Sequence, residues 1–399
     1  MTTVPETLAT GESAVGAVGA ATALLDDYRP GTDRLLASPT RTLLGRGVRA
    51  HVPHDARPLN ERVRDALTAA QAAGQADPVV IGAIPFDPTA RAELVVPGTV
   101  HRAPALAADP LITLPAPEPD PVAWTVRPVP APERYAAAVA AAVERMKAGE
   151  FAKVVLARAL DLTGDRDPDT PSMLQRLARR DPHGYTFAMP TATGATLLGA
   201  SPELLVSRSG ATLVANPLAG STPRSGDLAE DVRRAASLLE SPKDLHEHSV
   251  VVDAMRAALA PYCTELHVPA RPTLVRTAAM WHLSTTLRGT LATPTTTSLE
   301  LASAVHPTPA VCGAPTGLAR RAIGQLEPFE RGLYTGIVGW EDADGDGEWV
   351  VTIRCAEVSG RTLRLFAGAG VVAASDPAAE TAETGAKFRT FLDAVGAEL

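Results

Sequence analysis

Strand-like apolar runs in this chain are separated by pairs of helix-spaced segments rather than by single ones. Arg34 to Gly47 reads as two short strands around a Ser38-Pro39 turn, and Leu59 to Ala73 has helical spacing. Val79 to Phe86 (VVIGAIPF) is a buried strand closed by Pro85 and Asp87. Residues 1 to about 30 are weakly patterned, and partial mobility is expected there. Val96 to Arg127 is proline-rich, with Pro115, Pro117, Pro119 and Pro121 alternating. It reads as a surface connector, and the main boundary is placed in it, dividing the chain into residues 1–125 and 126–399.

Beyond that boundary the spacing predicts a helix over Pro132 to Gly149, a strand over Phe151 to Leu162 and a helix over Thr170 to Arg180. Strands follow at Tyr185 to Met189, Ala195 to Ala200, Glu203 to Arg208 and Thr212 to Pro217. Two helices come next, Asp227 to Glu240 and Pro242 to Ala260. Then come strands near Val275 to Leu287, helices at Ser298 to Val305 and Gly317 to Leu326, and three long strands between Gly332 and Ala373. The last helix covers Pro377 to Val395, with Pro377 in its first turn and Ser375 or Asp376 as cap. Runs of strands between helix pairs, without strict βαβ alternation, argue an α+β fold with large antiparallel sheets.

Composition narrows the classes. Aromatic residues are 4% of the chain, so Ala, Val and Leu must fill the interior. The 37 basic and 45 acidic residues give a charge of −8 without long runs of one sign, which excludes the basic stripe that neutralises nucleic-acid phosphates. Cys263, Cys312 and Cys355 are widely spaced and form no CxxC, so unpaired thiols in a reducing compartment are expected. The Ala/Gly-rich segment Ala14 to Leu25 has no basic leader ahead of it, and no apolar run reaches membrane-spanning length. The expectation is a cytoplasmic protein that meets neither membrane nor nucleic acid.

Two motifs mislead. Gly368-Ala-Gly370-Val-Val-Ala373 fits G-x-G-x-x-A, but its helix starts only after Ser375-Asp376, too late for a dinucleotide-binding turn. Asp342 to Gly347 opens like a calcium loop, but the position requiring a bidentate carboxylate is Ile353. A hairpin turn explains that segment better.

The chemistry lies elsewhere. Glu380, Glu383 and Lys387 share one face of the last helix, and Asp244 and Glu247 form a second acidic pair on a distant helix. Carboxylates one turn apart repel unless a cation or proton intervenes, and four oxygen donors on two helices suit a hard divalent ion such as Mg²⁺. Lys153 sits in an apolar strand, where desolvation of the ammonium favours the neutral amine and hence a general base. An edge-strand lysine reaching water is the plainer reading. Glu203 lies between apolar residues after Pro202, where burial makes a carboxyl retain its proton and serve as an acid. Its plain reading is a strand-end glutamate satisfied by backbone.

Seven ordered segments over some two-thirds of the chain resemble the chorismate-utilising enzymes, the isochorismate, salicylate, anthranilate and aminodeoxychorismate synthases. They are Lys153 to Arg158, Gly199 to Glu203, Pro217 to Ser221, Ser241 to His248, His306 to Gly313, Trp349 to Arg354 and Ala367 to Lys387. The first third resembles the family more weakly, through Ser38-Pro39, Thr42 to Gly45 and Ile84 to Asp87. The resemblance implies a large α/β sandwich, two mainly antiparallel sheets flanked by helices, with the site in a cleft between the halves. It implies Mg²⁺ on the ring carboxylate of chorismate, held by Glu247 and Glu383, with Asp244 and Glu380 ligating or holding waters. Arg354, in a strand, would grip the enolpyruvyl carboxylate. Gly220, Ser221, Gly368 and Gly370 would complete the anion site, with His282, Ala310, Val311, Tyr334 and Lys387 lining it. The plain alternatives are a structural ion pair for Arg354 and an exposed Glu383–Lys387 bridge.

Within the family the nucleophile decides the activity. Ammonia-using members resemble one another in carrying glutamine where this chain has Lys153, and a lysine there implies activated water. Members forming a covalent amine intermediate carry lysine where this chain has Ala219. Leu35-Leu36-Ala37-Ser38 lacks the glutamate of the tryptophan-inhibited branch. His306 to Gly313 and Ser221 resemble the isochorismate type, especially the siderophore-serving form, and a salicylate synthase is the alternative. The implied reaction is water addition at C2 with Lys153 as base and loss of the C4 hydroxyl with Glu203 as acid. An isochorismatase is the implied downstream partner. A non-catalytic chorismate-binding homologue is the reading from outside enzymology. The oligomeric state stays open, and a monomer is compatible with the sequence.

Overall fold

Dense apolar strands need cover on both faces, and the chain provides it by stacking two antiparallel sheets and packing helices outside them. This is seen in a computed structural model that describes residues 18–119 and 121–397. One sheet has ten strands and the other nine, and a three-stranded sheet lies beside them. Leu36, Leu43, Phe187 and Leu197 of the ten-stranded sheet meet Ile81, Ala83, Val338 and Trp340 of the nine-stranded sheet in the central core. On alternate positions Leu35, Leu44 and Leu198 face outward onto the helices Thr170–Arg180 and Pro377–Val395. The outer face of the second sheet packs on Leu59–Ala72, Pro242–Leu259 and Ser298–Val305. The fold is therefore an α+β sandwich with the layers helix, sheet, sheet, helix.

Strands that pass from one sheet to the other matter most for function. Thr196–Ser201 belongs to the ten-stranded sheet and Leu204–Ser209 to the nine-stranded one, so the chain crosses at Pro202-Glu203. Gly347–Val351 and Cys355–Ser359 make the reverse crossing at Thr352 to Arg354. The two corners are stitched together, since Ala200 N–H donates to Arg354 O at 3.0 Å and Val351 N–H to Glu203 O at 3.1 Å.

These crossings correct two expectations. The stretch Gly332 to Ala373 holds four strands rather than three, Ile337–Asp342, Gly347–Val351, Cys355–Ser359 and Thr362–Val372. Arg354 is not in a strand: its φ of 50° breaks the run where the chain changes sheets. The proline-rich stretch also contains two strands, Thr99–Pro104 paired with Arg41–Arg46 and Trp124–Val129 paired with Lys153–Gly164. Prolines are tolerated there because both strands lie on the periphery of the sheet. Of the segment expected to be mobile, residues 1–17 lie outside the described residues. Ala20–Asp26 is a helix, held because Asp109 accepts N–H bonds from Gly19, Ala21 and Thr22.

Ile337–Asp342 and Gly347–Val351 pair across the turn that mimicked a calcium loop. Thr362–Val372 runs antiparallel to Lys153–Gly164, so its glycines do not open a βαβ unit. Cys312 and Cys355 are buried, Cys263 is half-buried, and all three are free. No helix among the described residues is long and apolar enough to cross a membrane.

Candidate active site

Glu203 and Arg354 occupy the two stitched corners, and both line one cleft. Pro202 holds the backbone at the crossing, so the Glu203 carboxyl is delivered between the sheets, where its residue is 3% exposed. Burial raises the Glu203 carboxyl from 4.5 to about 7, against the opposing pull of a backbone N–H from Leu218 and the charges of Lys153 and Arg354. Leu218 N–H reaches Glu203 Oε1 at 3.5 Å. Arg354 is buried beside His282, its Nη2 lying 3.4 Å from His282 Nε2. No carboxylate among the described residues forms an ion pair with it, so the structural-pair reading fails. Burial, then the charges of Arg354 and Lys387, depress the His282 imidazole well below its ordinary value, so it is neutral.

Lys153 begins its strand in the ten-stranded sheet and is fully buried, because the short strand Gly313–Ala314 covers what would otherwise be an open edge. The water-reaching alternative is thereby overturned. Its Nζ lies 3.0 Å from Glu247 Oε1. Glu247 lines the cleft and Lys153 does not, so the lysine stands one layer behind the carboxylate. Gly370 makes this contact possible, since a Cβ there would lie 2.0 Å from Glu247 Oε1 and 3.2 Å from Lys153 Cε. Gly368 plays the same part for Tyr334, whose hydroxyl would be 2.9 Å from an added Cβ. The Tyr334 ring stacks on Phe366 with centroids 4.8 Å apart.

Glu380 and Glu383 are also held by lysines. Lys243 Nζ lies 2.7 Å from Glu380 Oε1, and Lys387 pairs with Glu383 while donating to Gly368 O at 2.9 Å. The Glu383–Lys387 bridge is largely buried rather than exposed. Burial and then the charge of Glu383 push Glu380 upward. Burial also pushes Glu383 up, but Lys387 and the Ser221 hydroxyl outweigh it and hold it below the usual carboxylate range. Asp244 is raised, chiefly by burial. No three acidic, His or Cys side chains converge at metal-binding distance among the described residues. Glu247 and Glu383 nevertheless face one cleft with oxygen donors only, and each meets its charge demand with an ammonium. A hard divalent ion answers that same demand, so the residues fit Mg²⁺.

One short strand ties these groups together. In Leu218–Pro223, Leu218 bonds the acid, Ala219 lines the cleft, Gly220 turns at φ 77° and Ser221 Oγ donates to Glu383 Oε1 at 2.9 Å. Ala310 and Val311 line the cleft as well, together with Gly368, Gly370 and Lys387. Sequence reasoning missed Lys243 as a site residue, although it lies inside the family-like segment Ser241 to His248. Four clustered acids needed more cation than Lys153 and Lys387 supply, and that imbalance was the available signal.

Comparison with known proteins agrees with this geometry. Residues 106–396 match the family described as chorismate binding enzyme. The isochorismate synthase DhbC of Bacillus subtilis (strain 168) is 50% identical over 398 residues, covering 94% of this chain and 96% of that protein. The vibriobactin-specific isochorismate synthase of Vibrio cholerae serotype O1 is 41% identical over 379 residues and covers 94% of each. The crystal structure of DhbC from Bacillus anthracis superposes with a TM-score of 0.89 at 48% identity, covering 95% of this chain and 100% of that chain. A cleft with a buried arginine, a buried acid and lysine-held carboxylates, on a chain alike over nearly its whole length, makes this protein a member of the chorismate-binding enzyme family.

Proposed function

We propose that the protein is a Mg²⁺-dependent isochorismate synthase, adding water at C2 of chorismate and expelling the C4 hydroxyl. The observation that carries this reading is Glu203: a carboxyl held half-protonated near neutrality, in the same cleft as an arginine that has no acidic partner among the described residues. Relatives named isochorismate synthase, 40 to 50% identical, support it. In this reading residues 126–399 form the chorismate-binding region and residues 1–125 complete the sandwich.

Arg354 grips the enolpyruvyl carboxylate, with the backbone around Gly220, Ser221 and Gly368 beside it. Glu247 and Glu383 would hold Mg²⁺, with Asp244 and Glu380 behind them. When bound, the ion supplies positive charge against the ring carboxylate. Lys153, once neutral and once Glu247 has turned away from Nζ, takes a proton from the water that attacks C2. Glu203 gives its proton to the departing C4 oxygen, so the leaving group goes as water. The diene shifts between the two carbons and no redox change occurs.

Product analysis tests this. Incubation with chorismate and Mg²⁺ should accumulate isochorismate, and EDTA should stop it. Salicylate with pyruvate would instead identify a salicylate synthase, and binding without any product would identify a non-catalytic homologue. Lys153→Ala should abolish turnover while chorismate still binds; retained turnover would remove Lys153 as the base.

A further inference from the structure

Beyond the acid, the base and the carboxylates, one buried histidine touches the strand that carries Gly220 and Ser221. His248 follows Glu247 on the helix Pro242–Leu259 but faces away from the cleft, onto a separate cavity of ≈ 950 Å³. Its Nδ1 lies 3.1 Å from Ala219 O, and its Nε2 lies 2.7 Å from Thr285 Oγ1. A carbonyl oxygen only accepts, so Nδ1 carries the proton and donates to Ala219. All three groups are buried.

The strand is irregular at that point. Leu218 pairs with Ser284 and Ser221 with His282, so Ala219 and Gly220 together oppose the single residue Leu283. Such a bulge removes both residues from the ladder and leaves their peptide plane to be fixed by something else. The Ala219–Gly220 peptide is trans, so its carbonyl and its N–H point in opposite directions. The carbonyl is held by His248 on one side, while Ala219, Gly220 and Ser221 line the cleft on the other.

We propose that His248, braced by Thr285, is a positioning residue: by holding Ala219 O it aims the Gly220 N–H into the cleft as a donor for a substrate carboxylate. This rests on the chorismate reading above and adds the group that orients its anion site. A donor to a carboxylate that does not itself react binds ground state and transition state alike, so its loss falls on KM rather than on kcat.

The test compares the full-length wild type with His248→Leu, His248→Asn, Thr285→Val and the Leu/Val double variant, measuring kcat, KM for chorismate, the Mg²⁺ activation constant and Tm. His248→Leu should raise KM about 10- to 100-fold with kcat within about threefold. His248→Asn, which keeps a donor toward Ala219 O, should recover most of that loss. Thr285→Val should raise KM about threefold, and the double variant should match His248→Leu because both act through one bond. An unchanged KM in His248→Leu would overturn the proposal. So would equal losses in the Leu and Asn variants that track Tm, or a shift in the Mg²⁺ constant with KM intact. Should His248→Leu not fold, an unchanged KM in Thr285→Val overturns it. A wild type that leaves chorismate unconverted at saturating Mg²⁺ counts against the function itself, whereas an active wild type with an indifferent His248 refutes only this inference.

Discussion

At the residue scale, Glu203 links chemistry to stability through one proton. Its folded-state value of about 7 lies above the ordinary 4.5, so the folded chain binds that proton more tightly than the unfolded chain. The stabilisation is complete below about 4.5 and is lost as pH rises through about 7. The proposed general acid is lost over the same upper limb, so kcat/KM should decline above pH 7. Glu203→Gln should lower kcat by about 10²- to 10⁴-fold and abolish that part of the pH dependence of Tm. A variant with near-normal turnover would remove Glu203 as the acid. Gly370 ties the site to stability in another way. An added Cβ meets the far end of the Glu247 side chain and crowds Lys153 Cε, so it parts the carboxylate from a fully buried ammonium. Gly370→Ala should therefore lower Tm and lose most activity together, as thermal denaturation and steady-state kinetics on one preparation would show.

At the element scale, the site is made by irregularities in strands. The corner at Thr352 to Arg354 holds a buried guanidinium that has no acidic partner among the described residues. Arg354→Leu should thus leave stability unchanged or raise it, because an uncompensated buried charge is removed, while KM for chorismate rises at least about 100-fold. A large drop in Tm would mean that the side chain supports the corner instead. These irregularities also set what could be read from sequence. Thr170–Arg180 and Pro377–Val395 were legible to the residue because Asp169 and Asp376 cap them and a proline follows each cap. The antiparallel class followed from strand runs, each dense because both faces are covered. Thr99–Pro104 and Trp124–Val129 were not legible, since their exposed residues pair with strands distant in sequence. Neither was the left-handed turn at Arg354, which local pattern reads as continuing strand. The candidate residues were legible as a set, through seven segments in order. Which lysine holds which carboxylate was not, because Lys153–Glu247 and Lys243–Glu380 join residues 94 and 137 positions apart in the chain.

At the scale of the whole molecule, the sandwich brings two acidic helices from different layers against one cleft and balances them with lysines from strand and helix. Pro242–Leu259 packs on the strand Leu218–Pro223, and Pro377–Val395 packs on Thr362–Val372. Glu383 is bonded to Ser221 across that gap, so the two halves are joined through the very carboxylates that would hold a cation. A cation bound only by the folded chain stabilises it in proportion to the logarithm of its concentration over Kd, about 2.7 kcal/mol at a hundredfold excess. Titrating Mg²⁺ should therefore raise Tm by several degrees in the absence of substrate, and EDTA should reverse the rise. Glu247→Gln and Glu383→Gln should each abolish the shift, since each replaces an anionic ligand by a neutral amide and leaves its lysine, Lys153 or Lys387, as an uncompensated positive charge repelling the ion. Lys243→Met should do the opposite. With Glu380 freed of its ammonium, the acidic face becomes more negative, so apo stability falls while the Mg²⁺-dependent rise in Tm grows. If Mg²⁺ leaves Tm unmoved in the wild type and in all three variants, the lysine pairs are the final state of these carboxylates and the divalent-ion assignment falls.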